Sequence, residues 1–378
     1  MFNKSVMSNG REKKLIYKGS VKDIYEWDKD YLVFHFSDRY SVFDWGEMPD
    51  RIPGKGRVLA QITKILFSKL AKPSTWQDLI HPHLETNEIK FLKSSEEFKK
   101  IQKSGLKTHY INGDSIKNSQ NVALELEEIL VDRVHVPKCD ECAIYGTSPV
   151  KILIPLECIF RFGVAEGSSL AERAEFKEGE KFTKIMINTT TKLENADRPL
   201  TEDEAIRLGG FKDGEWDSLK ILLKMVAIKL HELFAKQDLD LWDGKLEFAF
   251  ISSTSSNNRE FMLVDSIGLD ELRITRNGQQ VSKEILRQFY RLTPWYENLI
   301  QAKKTHPHHF KEHCLKDLRS SPPNLPHVVI EATAKMYQLV ADLLGDEQDA
   351  TSHSKILLDQ NLDLLKNEQE NYARYHSR

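Results

Sequence analysis

The chain is poor in cysteine, with four thiols in 378 residues. Cys139 and Cys142 form a single CxxC, while Cys158 and Cys314 stand apart. A structural zinc takes four ligands, and one CxxC with only His135 nearby, at poor spacing, supplies too few. Reduced thiols in a cytoplasmic protein are the simpler expectation. Long apolar runs are also lacking. The longest, VKILIPLECIF, is broken by Lys151, Pro155 and Glu157, well short of the roughly 20 residues that a membrane-spanning helix needs. No apolar segment follows the charged start MFNKSVMSNGREKK, so no secretory signal is read there. An excess of one charge is missing too. Lys and Arg number 54 against 57 Asp and Glu, a net charge of -3, which argues against a protein that coats nucleic acid or anionic membrane. There is no Walker loop, no GxGxxG turn, no nucleophile elbow and no serine–histidine–acid order.

What remains is a globular composition, 40% hydrophobic and 29% charged, in a chain long enough to bury a core without staples. KLIYKGSVKDIYEW places two apolar arms around Gly19 and Ser20, and YLVFHFSD is dense in β-branched and aromatic residues. Both read as antiparallel strands. In RVLAQITKILFSKLA, Leu59, Ile62, Ile65, Leu66 and Leu70 share one helix face. EIKFLK reads as a further strand, and residues 95–120 as a polar, lysine-rich surface excursion. PKCDECAIYGTSP, with a proline near each end, reads as a linker or inserted loop. Thr201 and Glu204 make a capping box, and DSLKILLKMVAIKLHELFAK is the strongest helix. KLEFAFI and EFMLVDS are strands, SKEILRQFYRL and VVIEATAKMYQLVADLLG helices, and the polar tail carries one amphipathic patch, Ile356, Leu357, Leu358, Leu362 and Leu365. Strands and helices without regular alternation indicate an α+β fold.

The hairpin over residues 245–266 holds the most informative local chemistry. With its turn centred near Ser256, Glu247 and Asp265 face each other. Opposed residues have Cβ atoms roughly 4.5–5.5 Å apart, and two carboxylates that close repel unless a cation or proton lies between them. The pair is either a Mg²⁺–nucleotide site or a solvent-facing acidic pair, and a one-residue slip in register would separate it. The turn in IYKGSVKDIY can lie over a triphosphate, with Lys22 as point charge. IPGKGR is a second basic glycine turn, or a plain surface turn. Arg161, followed by Gly167, Ser168 and Ser169, suits phosphate or carboxylate, or a salt bridge to Glu157 or Glu166. Asp270 with Arg273, and Lys283 with Arg287 on one helix face, are ambiguous singly.

Taken in order, YKGSVKDIYE, SDRYSVFD, IPGKG, IPLECIFR with GSS, TTTKLENAD, DGKLEFAF, LVDSIGLDELR and SKEILRQ resemble the SAICAR synthetase family, from about Lys14 to Gly345. The resemblance implies a two-lobed α+β fold. Residues 1–148 would form an antiparallel nucleotide lobe of kinase or ATP-grasp type. Residues 149–345 would form a larger substrate and Mg-ATP lobe, and 346–378 a polar helical tail. It implies an ATP-dependent ligase joining carboxyaminoimidazole ribonucleotide to L-aspartate, with ATP and Mg²⁺ as cofactors, acting as a monomer or homodimer without nucleic acid or membrane. It also implies residue roles. Gly19, Lys22 and Glu247 would contact the nucleotide, and Glu247 and Asp265 would hold the metal. Lys245, Asp270 and Arg273 would be catalytic. Asp44, Lys55 and Gly56 would lie at the cleft mouth near substrate. Arg161, Ser168, Lys192, Asp197, Lys283 and Arg287 would complete the substrate shell.

The chain departs from the family at Ser20 (usually lysine), Ala196 (histidine), Ala249 (glycine), Ser266 (an acid) and Leu272 (serine). Glu166 is inserted before the GSS turn, and Phe162 follows Arg161. Most departures fall on the substrate side. A paralogue making a different amide with the same Mg-ATP chemistry, and a non-catalytic nucleotide-binding protein, therefore stand as alternatives.

Overall fold

The computed structural model describes residues 5–6, 12–112, 124–137, 151–171, 173–194, 197–252, 259–345 and 351–376. Cys139, Cys142, most of the PKCDECAIYGTSP segment, Ala196 and the tip of the 245–266 hairpin lie outside the described residues.

Strands β1 (Ser5–Val6), β2 (Glu12–Lys18), β3 (Lys22–Glu26), β4 (Tyr31–Phe36) and β5 (Glu128–Asp132) form one antiparallel sheet in sequence order. The expected arms around Gly19 are β2 and β3. The Gly19 N–H donates to the Lys22 carbonyl at 3.0 Å, and a Cβ on Gly19 would lie 2.5 Å from that same oxygen. Only glycine closes the turn this tightly.

Helix α1 (Lys55–Leu70) follows on the expected face, burying Leu59, Ile62, Leu66 and Leu70, with Ile65 half-buried. Its start is capped from outside the helix. The Asp38 carboxylate accepts from the N–H groups of Gly54 at 3.1 Å and Gly56 at 3.0 Å, two donors that no helical carbonyl reaches. A Cβ on Gly56 would lie 2.5 Å from the Phe36 carbonyl, so glycine is what lets α1 meet the end of β4.

Two expectations fail next. EIKFLK is not a strand but most of helix α2 (Thr86–Ser94), and residues 96–104 are helix α3 (Glu96–Ser104) rather than surface excursion. Ile89 and Leu92, three apart, share a helix face against the core, whereas a strand would point them to opposite sides. In α3, Phe98 and Ile101 repeat that spacing, and the Ser95 hydroxyl caps the helix by accepting from the Phe98 N–H at 3.1 Å.

The second sheet contains β6 (Lys151–Leu153), β7 (Leu156–Gly163), β8 (Lys181–Thr191), β9 (Asp240–Ser252), β10 (Arg259–Val264), β11 (Leu272–Arg276) and β12 (Gln279–Gln280). Its order is β12-β11-β9-β7-β8, all antiparallel, with β6 and β10 pairing to the C-terminal half of β9. Helix α4 (Glu202–Gly209) begins with the expected Thr201–Glu204 capping box. Helix α5 (Glu215–Ala235) packs on β7 and β9, burying Leu219, Leu223, Val226, Leu230 and Phe234, each worth about 1.5–3 kcal/mol of hydrophobic stabilisation.

The chain ends in helices: α6 (Glu284–Arg291), α7 (Pro294–Thr305), α8 (Phe310–Lys316), α9 (His327–Gly345) and α10 (Thr351–His376). Helix α9 lies against α1, and α10 lies along α9. The amphipathic patch of the tail packs on its own chain through Leu358, Leu362 and Leu365, while Ile356 stays exposed. Polar contacts fix it further. Arg276 pairs with Asp359 at 2.6 Å, and the Asn361 side-chain amide donates to the Ala332 carbonyl at 2.8 Å.

Candidate active site

Strict alternation along β7 and β9 builds the site. Leu156, Cys158, Phe160 and Phe162 of β7, with Leu246 and Phe248 of β9, enter the core. The residues between them, Glu157, Ile159 and Arg161 with Asp243, Lys245 and Glu247, therefore share the opposite face. Most of these line a cleft of about 470 Å³. The Ser20–Val21 turn and the Phe43–Asp44 segment close it from the N-terminal lobe, and residues 270–273 and 282–287 from the other.

The floor cations and acids pair off. Lys245 donates to Glu157 at 2.5 Å, and the other Glu157 oxygen accepts from the Thr190 hydroxyl at 3.1 Å. Lys192 donates to Glu247 at 2.5 Å and lies 3.8 Å from Glu157. Lys22 reaches from the N-terminal sheet to pair with Asp265 and donates to the Ser266 hydroxyl at 3.1 Å. Ser266 in turn donates to Glu271 at 3.0 Å.

The expected register of the hairpin is wrong by one residue. Glu247 faces Val264, and Asp265 lies beyond the last paired position. The two acids still act on each other, since Asp265 raises the Glu247 carboxyl, and Asp265 leaves the strand in the left-handed region, at φ 67. His109 holds that turn through a 2.8 Å contact from its Nε2 to the Asp265 carbonyl. Burial pulls the His109 ring down to about 4, so it is the neutral N–H donor there. Burial and the neighbouring Asp265 push the Glu247 carboxyl up to about 7, against the pull of Lys192. Burial opposes the charge on Asp265 as well, but Lys22 and then Lys192 hold it below the usual carboxylate range.

Asp270 is pinned from both ends of the chain. One oxygen accepts from Lys55 at 2.8 Å and the other from the Tyr337 hydroxyl of α9 at 3.0 Å. Lys55 is fully buried and also donates to the Arg39 carbonyl at 3.1 Å. Lys55 and Gly56 therefore do not stand at the cleft mouth as the resemblance implied. They lie beneath it, Lys55 holding Asp270 and Gly56 admitting the helix start.

An arginine cluster forms one end. Arg161 donates to Asp243 and to the Ser168 hydroxyl, both at 3.1 Å, so its acid partner is neither Glu157 nor the exposed Glu166. Arg273 donates to Asp243 at 2.6 Å, and Arg287 to Glu284 at 2.9 Å. Arg291 lies 2.7 Å from Glu284. Four guanidinium groups thus share two buried acids, which leaves net positive charge. At the rim, Asp44 adopts φ 59 and pairs with Lys303 at 2.8 Å, while Asp197 lines the cleft with its carboxyl raised by burial and by Glu157.

The structure thus brings Lys22, Asp44, Arg161, Ser168, Lys192, Asp197, Lys245, Glu247, Asp265, Asp270, Arg273, Lys283 and Arg287 to one cleft or its immediate supports, with Gly19 in the overlying turn. Asp243, Glu271, Glu284, Tyr337 and His109 were not anticipated as part of it. The charged alternation in LECIFR and WDGKLEF carried a signal for Glu157 and Asp243. Among the described residues, a three-residue metal-type grouping occurs at His35, Glu125 and Glu128, where Lys13 already pairs with Glu128.

An antiparallel sheet set against a larger α+β unit, with a cleft lined by paired cations and acids, defines a two-lobed α+β protein with a small-molecule-sized cleft. The family model for SAICAR synthetase matches residues 15–306. A protein of Archaeoglobus fulgidus, provisionally named phosphoribosylaminoimidazole-succinocarboxamide synthase, is 32% identical over 324 residues, covering 81% of this chain and 85% of its own. Among solved structures, the Saccharomyces cerevisiae SAICAR synthase complexed with SAICAR superposes with a TM-score of 0.52 at 21% identity, covering 91% of this chain and 99% of its own. A SAICAR synthetase in complex with ADP gives 0.50 at 21% identity, with 82% of this chain and 99% of its own covered. The chain belongs to the SAICAR synthetase family.

Proposed function

We propose that this chain is an ATP-dependent, amide-forming ligase that joins the carboxylate of carboxyaminoimidazole ribonucleotide to the amine of L-aspartate, giving SAICAR in purine biosynthesis. The observation that carries this reading is the paired floor, Lys22 with Asp265, Lys192 with Glu247 and Lys245 with Glu157, inside a chain of this family. The ADP and SAICAR complexes of its structural relatives agree with it.

A free carboxylate is a poor acyl electrophile, and phosphorylation gives it a leaving group. The protein's share of that work is to orient and neutralise anions. The Gly19 turn and Lys22 serve the nucleotide phosphates. Glu247 and Asp265 fit a divalent cation: Glu247 is buried, Asp265 is half-buried, and the Asp265 charge disfavours ionisation of Glu247. Bound there, Mg²⁺ would neutralise phosphate oxygens and orient them. Lys22 and Lys192, now paired with these acids, are the cations that phosphate oxygens would meet. Arg161, Ser168, Arg273 and Arg287 suit the ribose phosphate or a substrate carboxylate, because planar guanidinium groups grip such anions in a bidentate way. Lys245 and Asp270, each held by a buried partner, flank the reacting groups. Asp44, Asp197 and Lys283 border the substrate side.

Purified protein, Mg-ATP, carboxyaminoimidazole ribonucleotide and L-aspartate should release ADP only when both substrates are present, alongside the succinocarboxamide. No turnover, with nucleotide still raising the melting temperature, would replace the ligase reading with a nucleotide-binding protein. Asp265→Asn should abolish Mg-dependent nucleotide binding, and unchanged affinity would remove Asp265 from the metal assignment. A ligase making a different amide is the second reading. It is favoured by the buried, apolar Leu272 in the cleft lining, and product formation with amines other than aspartate tests it.

A further inference from the structure

Four lysines at the cleft are neutralised by acids: Lys22 by Asp265, Lys55 by Asp270, Lys192 by Glu247 and Lys245 by Glu157. Lys283 differs. It lines the same cleft, yet among the described residues its side chain makes no ion pair and no hydrogen bond. Its backbone is fixed at the N-cap position of α6, where its N–H donates to the Leu269 carbonyl at 3.0 Å. Its charged surroundings come from every side: Asp270 and Glu271 from the loop before β11, Lys55 from α1, Arg287 from the next turn of α6, and Asp44 from across the cleft. A half-buried amine that no carboxylate touches has no direct compensation for the water it has lost, so packing alone does not account for it.

We propose that Lys283 Nζ accepts the proton shed by the incoming amine in the amide-forming step. This assignment rests on the ligase reading above and deepens it. Burial pulls the ammonium down to about 8, assisted by Arg287 and Lys55 and opposed by Asp270 and Glu271. The group thus exchanges a proton near working pH, where general-base catalysis is most effective. The balance of the step is complete without a further reactant. The nitrogen lone pair of the substrate forms the C–N bond to the phosphorylated carboxyl carbon. The C–O bond to phosphate breaks, and phosphate leaves with that electron pair. The proton lost by nitrogen passes to Nζ and from there to solvent.

The test uses the full chain with Mg-ATP, the ribonucleotide and L-aspartate, read as kcat from about pH 6 to about 10. Wild-type protein is expected to show an acid limb near pH 8. Lys283→Ala should lose about 100-fold in kcat and lose that limb, and added methylamine should restore rate in proportion to its free-base concentration. Lys283→Arg keeps the positive charge but does not give up a proton at these pH values, so it should lose rate to a similar extent. Thermal stabilisation by Mg-ADP checks that both variants are folded. A Lys283→Arg protein with wild-type kcat and acid limb would show that charge alone is required and would overturn the assignment, as would an alanine variant that no amine rescues. Wild-type protein without turnover would overturn the ligase reading and this assignment together.

Discussion

Replacing Lys55 with methionine removes a cation while keeping much of its volume. Lys55 is fully buried, 2.8 Å from Asp270, and Asp270 is enclosed as well. Removing one member of a buried pair leaves the other charged and desolvated, typically at about 3–5 kcal/mol. Asp270 would keep the Tyr337 hydroxyl at 3.0 Å and the attraction of Lys283, which places the loss near the lower end, about 3 kcal/mol. That is a large share of a total stability of about 5–15 kcal/mol. The pH dependence has a definite sign. In the wild-type protein burial opposes the charge on Asp270, but Lys55 and then Lys283 hold its carboxyl below the ordinary range. The resulting stability is present above the unfolded pKa of about 3.9 and fades as pH falls through the folded value. In the variant burial dominates and the carboxyl rises instead. The deficit is then greatest at neutral pH and shrinks as pH falls toward about 4. Urea unfolding followed by tryptophan fluorescence, at neutral and acid pH, measures this. The double variant Lys55→Met/Asp270→Asn should recover at least half of the loss. A loss below about 1 kcal/mol, as expected of an exposed pair, or a double variant no better than the single, would refute the reasoning and return Lys55 to the cleft mouth.

Gly56→Ala should destabilise by about 1–3 kcal/mol in thermal melting, because its Cβ would lie 2.5 Å from the Phe36 carbonyl; an unchanged melting temperature would contradict that packing. Leu358→Ala should cost about 2–5 kcal/mol, since Leu358 is fully buried where α10 meets α9, and a loss within the error of the denaturation curves would mean that the tail is not docked. Affinity for Mg-ADP, measured by calorimetry, should rise between about pH 6 and 8, because Glu247, pushed up to about 7 by burial and Asp265, holds a cation best when ionised. A flat profile would remove Glu247 from the cation site.

Much of the site was legible because charged residues interrupt otherwise apolar strands. Glu157 and Arg161 in IPLECIFR, and Lys245 and Glu247 in KLEFAF, must share a face by the two-residue period alone. Which acid neutralises which cation was not legible. Arg161 turns to Asp243 because β7 and β9 are neighbours and place the two opposite each other, a pairing that local sequence does not encode. The hairpin register failed for a similar reason. Symmetry about an assumed turn centre put Asp265 opposite Glu247, whereas Asp265 lies off register in a left-handed turn tied down by His109 and still acts electrostatically on Glu247. Lys55 misled because a glycine-flanked lysine looks alike at a surface turn and at a buried helix start. Its burial depends on Asp270 and Tyr337, far along the chain. EIKFLK misled because six residues with three apolar side chains fit a strand and a helix turn alike, and α3 and the core beside it decide the matter.

The shell around Asp270 also sets a timetable. One of its partners precedes it by 215 residues and the other follows it by 67. A growing chain emerges from the ribosome N-terminus first, so the Gly19 turn, α1 and most of the cleft floor are made well before Tyr337 is available. Helix α9, which carries Tyr337, is itself covered only when α10 has been synthesised. A half-made chain would hold Lys22, Lys192 and Lys245 with their acid partners while Asp270 still lacks its second partner. The Asp270 end of the cleft therefore reaches its final packing only after the last helices are made, later than the strands that form the cleft floor.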